Sequence, residues 1–547
     1  MTTKKKLLAV AGGLAAFALT GCGPMEEPKD VGDVSGVEEI GQPLAALATA
    51  PTFASGTLTI ALAAGGETAI VSRHAVSGNI LVNDVATTGA TATAVKNVAI
   101  TGGAGNDTVI LDFANGTFAP GVTGGPGITV ALAGGTNVFK LRGASATGDT
   151  ITVGGSATAV DIAFNIDAFK DIAVTSGSAV ALTFSLGGGN DIYNALSGAN
   201  GTGGSAFAGD ATVYGGLGDD TLTGGDGDET FYGDLGNDTM NGGTSNADGD
   251  VYNGGGGSDT VTYAARSAAV TITVGAGAAD GETATETDAI AADVEIVRGG
   301  TGDDSFTGHA GDQIFYGGAG DDLFLMGDTT TGAGNDTVYG EAGSDTVSYA
   351  ARTGAVTATM DLNVANDGES GETDTIRDDV EKFICPTGSV VCTVTGNALD
   401  NTITGGAGND VLSGGAGDDI FLVGATGGIG AGGDTFNGGA GIDKVDFTAF
   451  GATIAIVMDG AAGTNTQGKI VGTDVENLTC ATASACVVTG NAGNNRIVGS
   501  SALDTITTLG GDDFVETSGG NDAVDCGDGS DILYSTAGTP VPTACEL

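Results

Sequence analysis

Gly215-Gly216-Leu217-Gly218-Asp219-Asp220-Thr221-Leu222-Thr223 decides how this chain is read, because its pattern keeps returning. GGGGSDTVT at 254–262, GGTGDDSFT at 299–307, GGAGNDVLS at 405–413 and GGAGIDKVD at 438–446 obey the same nine-residue rule. Glycine stands at positions one, two and four, an acid at six and an apolar residue at eight. Glycine allows positive φ and a sharp turn without a Cβ clash. A turn of this kind points carbonyl oxygens inward, and the acid adds a carboxylate. Positions seven to nine then form a short strand with the middle side chain facing in.

Marking position six along the chain gives four blocks of five. The first is Asp220, Glu229, Asp238, Asp250 and Asp259; the second is Asp304, Gln313, Asp322, Asp336 and Asp345. The third is Asn401, Asp410, Asp419, Asp434 and Asp443; the fourth is Asn495, Asp504, Asp513, Asp522 and Asp531. In the first three blocks the step from third to fourth member exceeds nine residues, so a loop is inserted at the same place each time. Position eight is apolar throughout, from Leu222 to Leu533, in a chain that is 41% apolar. A disordered glycine-rich tract would lack this regularity.

Two nonapeptides make one coil, which places acids of one side eighteen residues apart, as in Asp220/Asp238, Asp304/Asp322, Asp504/Asp522 and Asp513/Asp531. Stacked coils sit roughly 4.8 Å apart. Carboxylates at that spacing repel by about 1 kcal/mol in water and about 3–4 kcal/mol at an effective dielectric of 20. Such a ladder opposes folding unless cations lie between the rungs, and hard oxygen ligands of this kind suit calcium.

The nonapeptide resembles the hemolysin-type (RTX) calcium-binding repeat family, whose fold is a parallel β-roll. The resemblance implies an all-β parallel β-roll or β-solenoid with Ca2+ ions held between successive turns by carbonyls and position-six acids. Folding is then expected to be coupled to calcium binding. The sixteen aspartates of the four blocks are the expected metal ligands, with Asp107 of a further repeat (GGAGNDTVI, 102–110) and Asp191 of a weaker copy. Gln313, Asn401 and Asn495 lack charge, so sites there should be weaker or absent.

The expected organisation follows from these marks. Residues 1–21 read as a lipoprotein signal peptide, 22–52 as an acidic flexible tether and 53–185 as a β-rich N-terminal region. The blocks occupy 186–262, 299–348, 396–446 and 490–534; spacers occupy 263–298, 349–395 and 447–489, and 535–547 forms a C-terminal cap. The spacers repeat too: Tyr263-Ala264-Ala265-Arg266 matches Tyr349-Ala350-Ala351-Arg352. Asp293-Val294-Glu295 matches Asp379-Val380-Glu381 and Asp474-Val475-Glu476. They are expected to be further coils without calcium ligands, with Glu295, Glu381 and Glu476 as turn or capping groups. Residues 53–185 read as a solenoid or a β-sandwich, the solenoid preferred.

Lys4, Lys5 and Lys6 precede an apolar run and then Leu19-Thr20-Gly21-Cys22. The run is a signal sequence too short to span a membrane. Its end resembles the bacterial lipobox, which implies cleavage before Cys22 and lipidation of that cysteine. Members of the RTX family usually leave through a one-step channel with an uncleaved C-terminal signal, and this chain departs from that pattern. Six of the seven cysteines remain after Cys22. Locality favours the pairs Cys385–Cys392, Cys480–Cys486 and Cys526–Cys545 among fifteen possible pairings. Disulfides imply an oxidising envelope or exterior.

Glycine accounts for 101 of 547 residues, tryptophan is absent and aromatics are 5%, so no large globular core is expected. The formal charge of −51 excludes nucleic acid as a partner and makes a divalent cation the natural counter-charge. The sequence has no His-Glu-x-x-His and no Gly-x-Ser-x-Gly, so the expected catalytic set is none. The expected protein is a lipid-anchored, calcium-binding structural or adhesive protein of the bacterial cell surface, with an extracellular glycan or surface component as partner. A solenoid enzyme acting on extracellular polysaccharide is the alternative, and a passive spacer is a third reading.

Overall fold

The computed structural model describes residues 47–117, 127–144, 147–164, 171–196, 206–243, 248–275, 280–282, 286–326, 334–360, 365–423, 432–461, 465, 468–536 and 540–545. Cys22 and the apolar run before it lie outside these residues, as does most of each inserted loop. The described residues form strands and no α-helix, arranged mainly as parallel sheets of fifteen, ten, twelve, six and five strands. This is the parallel β-solenoid that the nonapeptide spacing predicts.

Each repeat supplies one strand, and consecutive repeats alternate between two faces. In the first block the triplets Thr221–Thr223, Thr239–Asn241 and Thr260–Thr262 stack in one sheet. The longer strands Ala211–Leu217, Glu229–Leu235 and Val251–Gly256 stack in the other. Period-two alternation buries the middle residue of each triplet, so Leu222, Met240 and Val261 line the core with Phe231 and Tyr252 from the opposite face. In the triplet strands the core is one residue wide, which is why so few aromatic residues suffice there. Phe306 and Phe324 stack within it, ring centroids 4.9 Å apart.

Parallel register also aligns outward-facing side chains. Tyr214 pairs with Tyr232 and Tyr316 with Tyr339, and their rings stack at 4.7 Å and 4.5 Å.

The spacers continue the stack. Ile296–Arg298 pairs with Thr260–Thr262 before it and Ile314–Ala319 after it. The fifteen-stranded sheet therefore carries triplets in the first block and the longer strands in the second. The N-terminal region joins the same stack, since Asn137–Arg142 pairs in parallel with Val180–Gly188, which pairs with Ala211–Leu217. Antiparallel hairpins such as Thr150–Ser156 with Ala159–Phe164 are inserted into it. The region is β-rich, and these strands pair in parallel with the coils that follow. Disulfides join Cys385–Cys392, Cys480–Cys486 and Cys526–Cys545.

Candidate metal centres along two carboxylate ladders

Each position-six residue sits just before its strand, or in the case of Glu229 opens it, where the chain turns into the sheet. Its main-chain groups and its side chain are wired to neighbouring rungs. The Asp220 N–H donates to Oδ1 of Asp238 at 2.7 Å, and the Asp238 N–H donates to Oδ1 of Asp259 at 2.8 Å. The same link joins Asp304 to Asp322, Asp322 to Asp345, Asp419 to Asp443 and Asp513 to Asp531. One carboxylate oxygen is thus consumed by the backbone of the previous coil.

The second oxygen sets apart two kinds of turn, while at Asp250 and Asp434 it meets a side-chain donor, Tyr252 or Lys469, instead. At Asp107, Asp304, Asp410 and Asp504 it accepts the N–H of position two of its own turn, at 2.7–2.8 Å. Glu229 accepts the Gly225 N–H through Oε2 in the same way, at 3.1 Å, but its Oε1 is buried with no hydrogen-bond partner. These turns are closed. At Asp191, Asp220, Asp238, Asp259, Asp322, Asp345, Asp419, Asp443, Asp513, Asp522 and Asp531 the Oδ2 atom is buried with no hydrogen-bond partner. These turns are open.

Backbone conformation separates the two kinds. Position two of every open turn but that of Asp522, where it is Ser518, has positive φ: Gly216 at 109° before Asp220, and even Asp234 at 72° before Asp238. Gly300 and Gly406, in closed turns, keep φ outside that region. Turning the position-two peptide away removes the donor that would have satisfied the carboxylate. The expectation that glycines at one, two and four all serve positive φ is therefore corrected. In most open turns position one is glycine for space instead, with Leu186, Thr508, Thr517 and Cys526 as the exceptions: a Cβ on Gly340 would lie 2.5 Å from Asp345 Oδ2 and 2.6 Å from the Asp379 carbonyl oxygen. Gly215 and Gly438 are flanked in the same way by Oδ2 of Asp220 and Asp443 and by the carbonyls of Gly233 and Asp474.

An orphaned buried carboxylate oxygen beside a main-chain carbonyl is a donor set for a hard divalent cation. The residues fit calcium, which would supply the positive charge that the ladder lacks. In its absence burial, reinforced by neighbouring acids, favours the protonated form. The Asp220 carboxyl is pushed up to about 8, and those of Asp191, Asp238, Asp322 and Asp345 to about 7. On the opposite ladder Glu229 and Asp250 reach about 9 for the same reasons.

Neutral rungs satisfy themselves. Asn401 Oδ1 accepts the Asn397 N–H, while its Nδ2 donates to Asn397 Oδ1 at 3.0 Å and to the Glu381 carbonyl at 3.4 Å. Asn495 repeats this with Asn491 and the Glu476 carbonyl. Gln313 accepts the His309 N–H.

The spacers carry ladder acids that the repeat rule does not mark. Glu295, Glu381 and Glu476 accept the N–H of Asp259, Asp345 and Asp443 through Oε2, each at 2.8 Å. The capping expected of Asp-Val-Glu falls to its aspartate: Asp293 accepts the Gly254 and Gly255 N–H groups, and Asp379 those of Gly340 and Glu341. Asp288 and Asp374 accept the N–H of Asp250 and Asp336, each at 2.9 Å. Asp149 precedes Asp191 on the first ladder. A spacer coil without ladder acids is thus not what forms. The signal lies in Asp-Val-Glu itself, whose glutamate immediately precedes its strand and faces the ladder acid of the previous coil. Asp248, Asp250 and Asp288 converge as one buried carboxylate group.

The family model of the RTX calcium-binding nonapeptide repeat (4 copies) matches residues 97–118, 205–240, 292–324, 330–351, 395–425, 489–524 and 511–539. These segments contain most of the open turns described above. The chain carries RTX calcium-binding repeats, and calcium is the ion that such repeats bind. No curated protein matches the chain.

Proposed function

We propose that this protein is a calcium-dependent structural or adhesive rod of the bacterial cell surface, anchored by lipid at Cys22 and ordered by calcium. The observation that carries the reading is the run of buried, unpartnered Oδ2 atoms on successive coils, from Asp191 to Asp259 and again at Asp322, Asp345, Asp419, Asp443, Asp513, Asp522 and Asp531. Without a cation these oxygens oppose the stack; with one they tie coil to coil. Extracellular modules bind calcium with dissociation constants of roughly 10⁻⁴–10⁻³ M, so export into a calcium-rich exterior would drive ordering. The aspartates of the open turns are the proposed ligands, and the closed-turn aspartates Asp107, Asp304, Asp410 and Asp504 the proposed ends of ladders.

Circular dichroism of the purified protein during a calcium titration, with a chelator control, tests the reading. We expect β-content to rise with calcium and fall on chelation; β-content indifferent to calcium overturns it. Labelling with radioactive palmitate, compared with Cys22→Ser, tests the anchor. Reducing sugar released from extracellular glycans would replace the structural reading with an enzymatic one.

A further inference from the structure

Three equivalent steps close the second ladder of the first three blocks. The register is the same in each: Val251 pairs with Ala289, Thr337 with Thr375 and Thr435 with Ile470. The residues just before these pairs therefore face each other as Asp250/Asp288, Asp336/Asp374 and Asp434/Lys469. The backbone does not distinguish the steps, since the N–H of Ala289, Thr375 and Ile470 donates to the carbonyl of Asp250, Asp336 and Asp434, each at 2.7 Å. The side chains do. Two steps present an acid and the third presents a lysine.

Lys469 is fully buried. Its ammonium bonds Asp434 Oδ2 at 2.6 Å and the Gly432 carbonyl at 2.9 Å. A carboxylate oxygen and a main-chain carbonyl are the two atom types that flank the open turns elsewhere. A buried ammonium is costly unless its partners are this close.

The surroundings have changed together with it. Tyr263 and Tyr349 donate their hydroxyls to Asp288 at 3.0 Å and Asp374 at 2.7 Å. The third spacer has Phe447 at that place, with no hydroxyl to spare where no acid accepts one. Arg266 and Arg352 pair with Glu286 and Glu372. The third spacer has Phe450 instead of arginine; its backbone N–H bonds Phe447 as Arg266 bonds Tyr263. The Phe450 ring centroid lies 5.7 Å from the ammonium, so its face meets the positive charge. Asp280 and Asp367, which brace the preceding strands through the N–H of Thr273 and Thr359, are replaced by Asn465 acting on Val457. The ladder acid has become a lysine, and the tyrosine whose hydroxyl the acid accepted has become a phenylalanine, so the step is closed by its own side chains.

We infer that the Lys469 ammonium stands in for a bound cation at this step, so that the third block closes its second ladder without calcium while the first two do not. The inference rests on calcium binding by the other rungs. It makes the 434/469 step the part of the stack that orders first when calcium is scarce.

Hydrogen exchange of the full chain across a calcium titration tests it. Amides around Asp434 and Ile470 should gain protection at lower calcium than those around Asp250 and Ala289 or Asp336 and Thr375. Protection arising at the same calcium for all three steps overturns the inference. Protection everywhere in chelator overturns calcium-coupled folding instead, and a calcium count by equilibrium dialysis then decides. The triple variant Phe447→Tyr, Phe450→Arg, Lys469→Asp should bind one more calcium per chain than the wild type. The reverse set, Tyr263→Phe, Arg266→Phe, Asp288→Lys, should bind one fewer. If either set folds and leaves the count unchanged, the inference fails.

Discussion

Arg266 and Glu286 form an ion pair inside the first spacer, Nη2 to Oε1 2.6 Å, with both side chains almost wholly shielded from water. Removing one partner leaves the other charge buried and uncompensated, which costs about 3–5 kcal/mol. Arg266→Met should lower stability by that amount in urea unfolding at saturating calcium. Adding Glu286→Gln to it should recover part of the loss, because the stranded charge goes. An Arg266→Met protein as stable as the wild type would show that the pair is solvated.

Calcium and protons should compete for the open turns. Burial raises the Asp220 carboxyl to about 8 and those of Asp238, Asp322 and Asp345 to about 7, above the unfolded value. The calcium-free fold therefore binds protons that the unfolded chain releases. That contribution is fully present below about pH 4 and is lost as pH rises through 7 to 8. Without calcium, the melting temperature should fall between pH 5 and pH 9. Calcium binding at pH 6 should release protons into a weakly buffered solution, and affinity should rise with pH. A calcium-free melting temperature that climbs with pH would contradict the geometry.

Gly340→Ala places a methyl group between Asp345 Oδ2 and the Asp379 carbonyl. The neighbouring site should weaken by about tenfold, or about 1.4 kcal/mol. Gly300→Ala offers a comparison, since it crowds the Arg266 carbonyl in a closed turn and should lower stability without removing an ion. Isothermal titration of both variants separates the two effects.

The Cys480–Cys486 bridge closes a loop with a sequence separation of 6. A loop that short restrains the unfolded chain by about 2 kcal/mol. Cys480→Ser with Cys486→Ser should lower the urea midpoint accordingly, and reduction of the wild type, which opens all three bridges, should lower it further. No shift in either case would mean that the spacer is held by its coil contacts alone.

The solenoid was legible in the sequence because its signal is dense: an apolar residue at position eight and an acid at position six fix both faces of every coil. The hairpin inserts of the N-terminal region were not, since short alternating runs such as Thr150–Ser156 carry no mark of parallel or antiparallel pairing. Asp107 and Asp220 look alike in sequence, yet one turn is closed and the other open. That difference lies in the rotation of one peptide, which Gly103 and Gly216 permit equally. Glu295 escaped the nonapeptide rule because its longer side chain reaches the ladder from an irregular turn. Lys469 escaped because a lone lysine in a short spacer carries no pattern until its register against Asp434 is known.

The tyrosine pairs on the outer faces have a spectroscopic consequence. With no tryptophan in the chain, near-ultraviolet absorption belongs to tyrosine, phenylalanine and the disulfides. Tyr214 with Tyr232 and Tyr316 with Tyr339 are held almost parallel, at 7° and 9°, on consecutive coils. Rings fixed in that way couple their electronic transitions. A coil displaced by one residue would turn a tyrosine to the opposite face and abolish the coupling. The two stacks are thus optical register marks, one in each of two blocks, able to report alignment between coils separately from strand content.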